Sequence, residues 1–561
     1  MLFASKEADS MNRFHRLLVI FLLSLMTACE GGAAQPQVTP TATPEASPSP
    51  GPSAESTETP TSLPEPSPTP LPESPFTLEK VDEQVHAYPG PVHYAGDVLT
   101  FEVQAEGLRD GLDVDVSLTL DGGEPRQVAG QWGFNRLIVP LALDTTRLEG
   151  AHEVRIQVEQ DLGVDVVYPF EVLPAEQRPG QEVSAAWESI PIACCTLHYI
   201  TNTAAARDIE TIAHHAEQAA EDFTRVTGVE VQNRLDVYII DRIWGNGAFA
   251  GGDEVLMAYT DRYYGPSQGG EGLETVFRHE FTHATRVDAS ETGFFPFNEG
   301  LAVYVAGGHY KPEPIPERGA ALLELGYEAG LDVFPAQHEV AYLHGATIMT
   351  YIAETYGWET LQEFGSSAAG DAYHDPDQRD QVMQEVFGVS GETFNEEYLA
   401  WLGSHEPGEQ LDDLRLTIEL QDLRRGYQRE YAPEPFTLFG HSDATYARPE
   451  LLPLLIREAN APPNVAVELM IASAQKAIVS GEYEHAERLV EEIRGVLESG
   501  EFISPLAYEY ASIVQELNEE GYEGLSLELG EDGAHAQVTR QAPLVEEVTL
   551  QKVSGEWQIY P

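Results

Sequence analysis

The chain has 561 residues, with 93 acidic and 31 basic side chains, and a formal net charge of −62 at pH 7. Such an excess of carboxylates repels phosphate backbones and anionic headgroups, which excludes nucleic-acid binding and an electrostatic membrane tether from the expected functions. A hydrophobic share of 42% suffices for several buried cores, so a wholly disordered chain is also excluded.

The N-terminus has the pattern of an export signal. Arg13 and Arg16 precede an apolar run of ten residues, 17–26, and Cys29 follows closely. That run is too short to cross a bilayer of about 30 Å, which argues against a transmembrane helix. The ending Leu-Met-Thr-Ala-Cys resembles the lipobox of bacterial lipoproteins. The resemblance implies that residues 1–28 are removed and that lipidated Cys29 anchors the protein to the cell membrane. The alternative is an ordinary signal and a secreted protein.

Residues 29–78 are predicted to be a disordered linker rich in Pro, Thr and Ser. Within it, residues 36–75 contain thirteen prolines and few large apolar side chains. Because proline fixes φ and removes a hydrogen-bond donor, this segment is expected to be an extended, semi-rigid spacer.

Residues 79–178 alternate apolar and polar side chains in short runs. The clearest runs are 98–103, 114–120, 137–141 and 154–158. Strands at this spacing predict a small antiparallel β-sandwich. The pattern resembles immunoglobulin-like modules of surface proteins, which implies a spacer or docking module without chemistry.

The region 185–405 changes to an α+β order. A strand at 192–200, a helix at 204–226 and a strand at 235–240 are followed by long helical patterns. The region 410–561 is predicted as a helical hairpin followed by an antiparallel sheet. It resembles small cystatin-like or nuclear-transport-factor-like modules, and it is assigned no function.

Cys194 and Cys195 are adjacent in sequence and cannot close an ordinary disulfide loop. Two reduced thiols on opposite faces of a strand are expected, with a strained vicinal disulfide as the alternative.

The sequence His279-Glu-Phe-Thr-His283 carries the chemistry. Residues four apart share one face of a helix, so both imidazoles can bind one metal ion. Glu280 is rotated by about 100° from His279, where it can act on water without being a ligand. Zinc at such a site polarises a carbonyl and acidifies water, while a carboxylate takes the proton. The bare motif also arises by chance, so its context matters.

Glu299 offers a third ligand, sixteen residues after His283. It follows a predicted turn at Gly293 and Pro296 and begins a second helix, from which it can point back at the histidines. Alone, a glutamate there is a favourable charge near a helix N-terminus. Together with the upstream motif, it predicts a site for one Zn²⁺.

At these residues the chain resembles the gluzincin metallopeptidases, in particular bacterial peptidase-MA-like proteins, which pair His-Glu-x-x-His with a downstream Glu-Gly-x-Ala. The resemblance covers residues 192–401 and implies a zincin-like α+β domain. It implies three zinc ligands and a general base, carried here by His279, His283, Glu299 and Glu280.

Two further family features point to other residues. Gluzincins place a substrate-binding edge strand beside the zinc helix, for which 248–251 is the candidate. Many use a Tyr or His of a later helix to stabilise the oxyanion, which implies Tyr342 or His344; the alternative is that both are ordinary helix residues. The acidic residue expected four positions beyond the glutamate ligand is replaced by Val303, and Asp288 is a candidate substitute.

Weaker clusters are interpreted as surface. His214 and His215 fit a solvated helix face, and the acidic segment 371–380 lacks the pattern of a calcium loop. The sequence therefore predicts a membrane-anchored zinc metallopeptidase that acts on peptide or protein substrates outside the cytoplasm. Two alternatives stay open: a non-catalytic scaffold lipoprotein on a peptidase fold, and a zinc amidase of the cell wall.

Overall fold

The computed structural model describes residues 75–81, 84–104, 112–133, 136–158, 163–231, 235–243, 247–251, 253–265, 270–285, 295–331, 333, 335, 337–367, 376–434, 451–457, 459–530 and 533–560. The predicted export signal, Cys29 and nearly all of the proline-rich spacer lie outside these ranges. So do Asp288, Gly293 and the loop 371–375. Within the described ranges, none of the helices has both the length and the apolar character needed to cross a bilayer.

The N-terminal part is one eight-stranded sheet with the order β1-β3-β6-β5-β4-β7-β8-β2. The sequence predicted a sandwich of two sheets; instead β5 pairs with both β4 and β6 and joins the strands into one sheet. Period-two alternation specifies which face of a strand is buried, but it fits one curved sheet as well as two stacked ones. The strands are β1 Val85–Tyr88, β2 His93–Tyr94, β3 Val98–Gln104, β4 Leu112–Leu120, β5 Arg126–Gly133, β6 Arg136–Asp144, β7 Gly150–Val158 and β8 Asp165–Leu173.

The central part begins with a short helix and a five-stranded sheet of order β12-β13-β11-β10-β9. The three inner strands are parallel, and each edge strand is antiparallel to its neighbour. A long helix packs its small and apolar side chains against this sheet. These elements are α1 Gly180–Ser184, β9 Trp187–Pro191, β10 Cys195–Ile200, α2 Ala204–Thr227, β11 Leu235–Ile240, β12 Ala248–Gly251 and β13 Glu254–Ala258.

Seven described helices continue the central part. They are α3 Gly270–Ala284, α4 Phe295–Ala306, α5 Ile315–Glu324, α6 His338–Tyr356, α7 Trp358–Ser367, α8 Pro376–Val386 and α9 Gly391–Leu402.

The C-terminal part contains the predicted helical hairpin, α12 and α13, and a four-stranded antiparallel sheet of order β14-β15-β16-β17. Helix α14 joins the hairpin to this sheet. The elements are α10 Gln410–Glu430, α11 Leu452–Ile456, α12 Pro462–Val479, α13 Tyr483–Ser499, α14 Pro505–Glu519, β14 Glu523–Leu529, β15 Ala534–Gln541, β16 Leu544–Val553 and β17 Glu556–Tyr560.

A buried ionic cluster joins the central and C-terminal parts. The fully buried carboxylate of Glu468 pairs with Arg242 at 3.0 Å and with Arg262. Arg242 also lies 3.0 Å from Glu434, which accepts a hydrogen bond from the Tyr264 hydroxyl at 2.8 Å. Because buried charges are costly unless they are paired, these contacts fix how the two parts meet.

The adjacent cysteines do not lie on opposite faces of a strand, so that expectation was wrong. Cys194 and Cys195 are free thiols buried in the same hydrophobic cluster, with their Sγ atoms 2.8 Å apart. The strand β10 begins only at Cys195. Cys194 therefore precedes the regular strand, and the alternation of side chains does not apply to it.

Candidate metal centre

Helix α3 places the two histidines of the motif. Its apolar residues Leu273, Phe277 and Phe281 recur every four residues and are buried in the central core. This apolar stripe fixes the rotation of the helix. His279 and His283 follow the same period and therefore project together from another side of the helix.

The ligand atoms of three side chains converge between α3 and α4. His279 Nε2 lies 3.1 Å from Glu299 Oε2 and 3.2 Å from His283 Nε2. His283 Nε2 lies 3.4 Å from the same Glu299 oxygen. The structure thus brings together the three residues that the sequence singled out as ligands.

The donor set fits a zinc ion. Zinc bonds of about 2.1 Å at the tetrahedral angle separate ligand atoms by roughly 3.4 Å, and the separations here are 3.1 to 3.4 Å. Burial lowers the pKa of His279 to about 4, which keeps its ring neutral, as a metal ligand must be. Burial alone would raise the pKa of Glu299, but His283 and His279 lower it well below its usual range.

Glu280 lies beside this group with a carboxylate that the protein leaves partly unpaired. The side chain is buried, and its Oε2 has no hydrogen-bond partner among the described residues. Burial, reinforced by the charge of Glu299, raises its pKa to about 8. A buried carboxylate with an unpaired oxygen and a raised pKa is typical of a group that exchanges protons with a substrate or water.

Tyr342 lies next to the ligands and His344 does not. The ring of Tyr342 stacks 5.9 Å from that of His279, and burial, followed by the charge of Glu299, raises its pKa well above the usual range. His344 is buried elsewhere, where its Nε2 accepts a hydrogen bond of 3.1 Å from the Gly330 N–H. Two residues along a helix turn the side chain by about 200°, so only one of the two candidates can point to the same site.

His309 also lies at this site, although no pattern in the sequence indicated it. Its ring stacks 4.2 Å from Tyr342 and lies 6.0 Å from the ring of His279. Its Nδ1 lies 3.0 Å from an oxygen of the buried Glu339, whose carboxylate also binds Arg425 at 2.9 Å. The one signal in the sequence was its position, three residues after the end of α4, the helix that carries Glu299.

The expected edge strand at 248–251 is present beside α3. Among the described strands, β12 pairs with β13 alone; it forms an edge of the central sheet and lies against α3. The backbone on its outer side is therefore available to an extended chain.

Of the two histidines on α2, His215 has a structural role and His214 is exposed. His215 Nδ1 lies 2.9 Å from Glu274 on α3, and this contact ties the two helices together. His214 and His215 do not belong to the group of metal-binding side chains found among the described residues.

No family model matches the sequence, and no curated protein matches it. Among solved structures, the chain is similar to an M1 zinc metallopeptidase from Deinococcus radiodurans, with 10% identity, a TM-score of 0.27 and coverage of 60% of this chain and 95% of that one. It is also similar to leukotriene A4 hydrolase from Saccharomyces cerevisiae, with 12% identity, a TM-score of 0.28 and coverage of 80% and 98%. Because both TM-scores lie well below 0.5, neither likeness assigns an activity to this chain.

Proposed function

We propose that the protein is a zinc-dependent metallopeptidase that hydrolyses peptide bonds of peptide or protein substrates. The observation that carries the proposal is the convergence of His279, His283 and Glu299, with the buried carboxylate of Glu280 beside them. Two imidazoles and one carboxylate, with a coordination position left for water or substrate, are the donor set of a catalytic zinc site.

Each residue of the site has a chemical task. A zinc ion, when bound, supplies Lewis-acid activation of the scissile carbonyl and of water. Glu280 takes the proton of the attacking water and delivers it to the leaving amine. Tyr342 and His309 lie next to the ligands, and we assign to them hydrogen bonds to the substrate oxygen that gains negative charge. The outer side of β12 holds the substrate backbone as an additional strand.

We also propose that the protein acts outside the cytoplasm, anchored to the cell membrane. A lipidated Cys29 would anchor the protein to the outside of the cell membrane, and the spacer would hold the catalytic part away from the lipid. Membrane fractionation tests this part separately. The wild-type protein is expected in the membrane fraction and a Cys29→Ala variant is not; equal partition of both would exclude the anchor and favour a secreted protein.

The activity is tested by profiling a peptide library with the zinc-loaded wild type and two variants. Glu280→Gln is expected to retain one zinc per chain and to lose cleavage. Glu274→Gln, on the same helix but outside the site, is the matched control and is expected to cleave like the wild type. Zinc binding by the wild type without any cleavage would instead favour a scaffold protein. Digestion of peptidoglycan without peptide cleavage would favour a cell-wall amidase.

A further inference from the structure

Three polar side chains form a connected group on the central sheet, outside the metal centre. Ser189 Oγ lies 2.7 Å from His198 Nδ1, and His198 Nε2 lies 2.9 Å from Asp236 Oδ1. They belong to the neighbouring strands β9, β10 and β11. Ser189 is directly opposite His198, and Asp236 is opposite Thr196, two residues before His198. Residues in register share a face of a sheet, so the three side chains meet on one face.

When the ring of His198 is neutral, its two nitrogens make hydrogen bonds of opposite direction. An ionised carboxylate only accepts, so the ring of His198 donates to Asp236 through Nε2–H. The Nδ1 of the neutral ring is then an acceptor, and the hydroxyl of Ser189 donates to it. A histidine held in one tautomer by a carboxylate, with a serine hydroxyl in reach of its other nitrogen, is the arrangement that activates a serine nucleophile.

The strand that carries Ser189 also supplies a backbone donor. β9 is an edge strand, and no described strand pairs with its outer side. Thr201 N–H donates to the carbonyl oxygen of Ala186 at 2.9 Å, which marks a hydrogen-bonded pair of the ladder. Because such pairs alternate with non-hydrogen-bonded ones, Ser189 and His198 form a non-hydrogen-bonded pair. The N–H of Ser189 therefore points to the open edge, where it can donate to a substrate oxygen.

The surroundings of the hydroxyl suit a small acyl group. Ser189 is exposed, whereas the side chain of His198 is only 21% exposed. The imidazole ring stacks 4.5 Å from Tyr238, and Trp187 packs edge-on against the same tyrosine at 5.8 Å. Trp187 is two residues before Ser189 and lies on the same face. Tyr238 is buried in an apolar cluster against which the partly buried Trp187 packs, so the solvent-accessible hydroxyl of Ser189 lies at the border of an apolar region.

We propose that Ser189, His198 and Asp236 form a second hydrolytic site, which cleaves small carboxylic esters. Ser189 Oγ bonds to the carbonyl carbon while its proton passes to His198 Nδ1. The C–O bond to the alcohol breaks, and the alcohol leaves with that proton. Water then attacks the Ser189 ester with His198 again taking a proton, which releases the acid and restores Ser189. An ester fits better than an amide, because its leaving group needs less help and the site offers one backbone donor.

The test uses full-length, zinc-loaded protein that carries Glu280→Gln, so that hydrolysis at the metal centre does not contribute to the measured rate. With p-nitrophenyl butyrate as substrate, adding Ser189→Ala or Asp236→Asn is expected to lower kcat/KM at least tenfold. Thr196→Ala, on the same face but outside the trio, is the matched control and is expected to change it less than twofold. Equal rates for the parent and Ser189→Ala would overturn the proposal.

A second measurement needs no variant at Ser189. A fluorophosphonate probe is expected to modify Ser189, located by peptide mass spectrometry, and His198→Gln is expected to abolish the modification. Absence of modification at Ser189, or equal modification in His198→Gln, would contradict an activated serine. Neither result bears on zinc-dependent proteolysis, so the two proposed activities can fail separately.

Discussion

Gly300 of α4 and Gly345 of α6 are in backbone contact, so close that a Cβ built on Gly300 would stand 2.3 Å from the carbonyl carbon of Gly345. Only residues without a side chain allow two helices to approach so closely. The contact lies one residue after Glu299, the proposed third ligand, and three residues after Tyr342 on α6. The helix crossing therefore places Glu299 and Tyr342 on the same side of the candidate site.

Replacing Gly300 by alanine should loosen this crossing. Since the obstacle is backbone, the helices must separate, and we expect a loss of about 1–3 kcal/mol in the free energy of unfolding together with weaker zinc binding. Urea denaturation and a chelator competition measure the two effects. Gly495→Ala in α13, where a Cβ meets open space, is the control and should not weaken zinc binding. Zinc affinity of Gly300→Ala equal to that of the wild type would show that the crossing does not position Glu299.

Removing one ligand should remove the metal. Glu299→Gln keeps the shape of the side chain but weakens the oxygen ligand, and we expect zinc affinity to fall by at least about 100-fold. Metal analysis after dialysis against a weak chelator measures this loss. Glu274→Gln, whose carboxylate contacts His215 and not the metal site, should retain one zinc per chain. Full retention by Glu299→Gln would mean that this residue is not a ligand.

Tyr342 and His309 should affect catalysis and not metal binding. Tyr342→Phe removes a hydroxyl beside the ligands, and the loss of one donor to the oxyanion is expected to lower kcat about 100-fold. His309→Gln is expected to lower kcat in the same direction. Peptide cleavage kinetics and metal analysis on the same samples separate the two roles. If either variant loses zinc, or if only KM changes, that residue does not stabilise the transition state.

The buried cluster between the central and C-terminal parts should make stability depend on pH. Burial raises the pKa of Glu434 to about 7, whereas an unfolded glutamate titrates near about 4.3. Between these values the folded protein binds more protons than the unfolded chain, so this residue's contribution to stability is lost as the pH rises through the window.

A Glu434→Gln variant cannot titrate at this position and tests that pH dependence. The free energy of unfolding in urea should therefore fall less between pH 5 and pH 8 in the variant than in the wild type. Glu484→Gln, at an exposed position on α13, is the control and should follow the wild type. Parallel pH profiles for Glu434→Gln and the wild type would contradict the assignment.

The features that could be predicted from the sequence are those that depend on residues close together along the chain. The pair His279 and His283 followed from the helical period, whereas the strand at 248–251 was expected only from the resemblance to gluzincins. His309 was not predicted as a site residue. The chain reverses direction at Gly307 and Gly308, whose φ angles are 77° and 155°, and this reversal brings His309 to the site. Such an approach depends on tertiary packing and leaves no periodic signal.

The arrangement of the N-terminal strands in one sheet likewise could not be predicted from local sequence patterns. The predicted runs at 98–103 and 137–141 lie within β3 and β6, which pair side by side. The alternating apolar residues of both strands lie in one hydrophobic core, although Thr100 and Glu102 between them are buried as well. The number of sheets depends instead on which strand edges form hydrogen bonds, and the alternation of side chains does not encode that choice.

The most direct test of the metal centre is anomalous diffraction at the zinc edge from crystals of the Glu280→Gln variant grown with zinc. The account predicts one strong anomalous peak, about 2.0–2.2 Å from His279 Nε2, His283 Nε2 and a carboxylate oxygen of Glu299. The same variant should show no peptide cleavage. Two results would contradict this zinc site: the absence of a peak at these three side chains, with or without one elsewhere, and undiminished peptide cleavage by the variant.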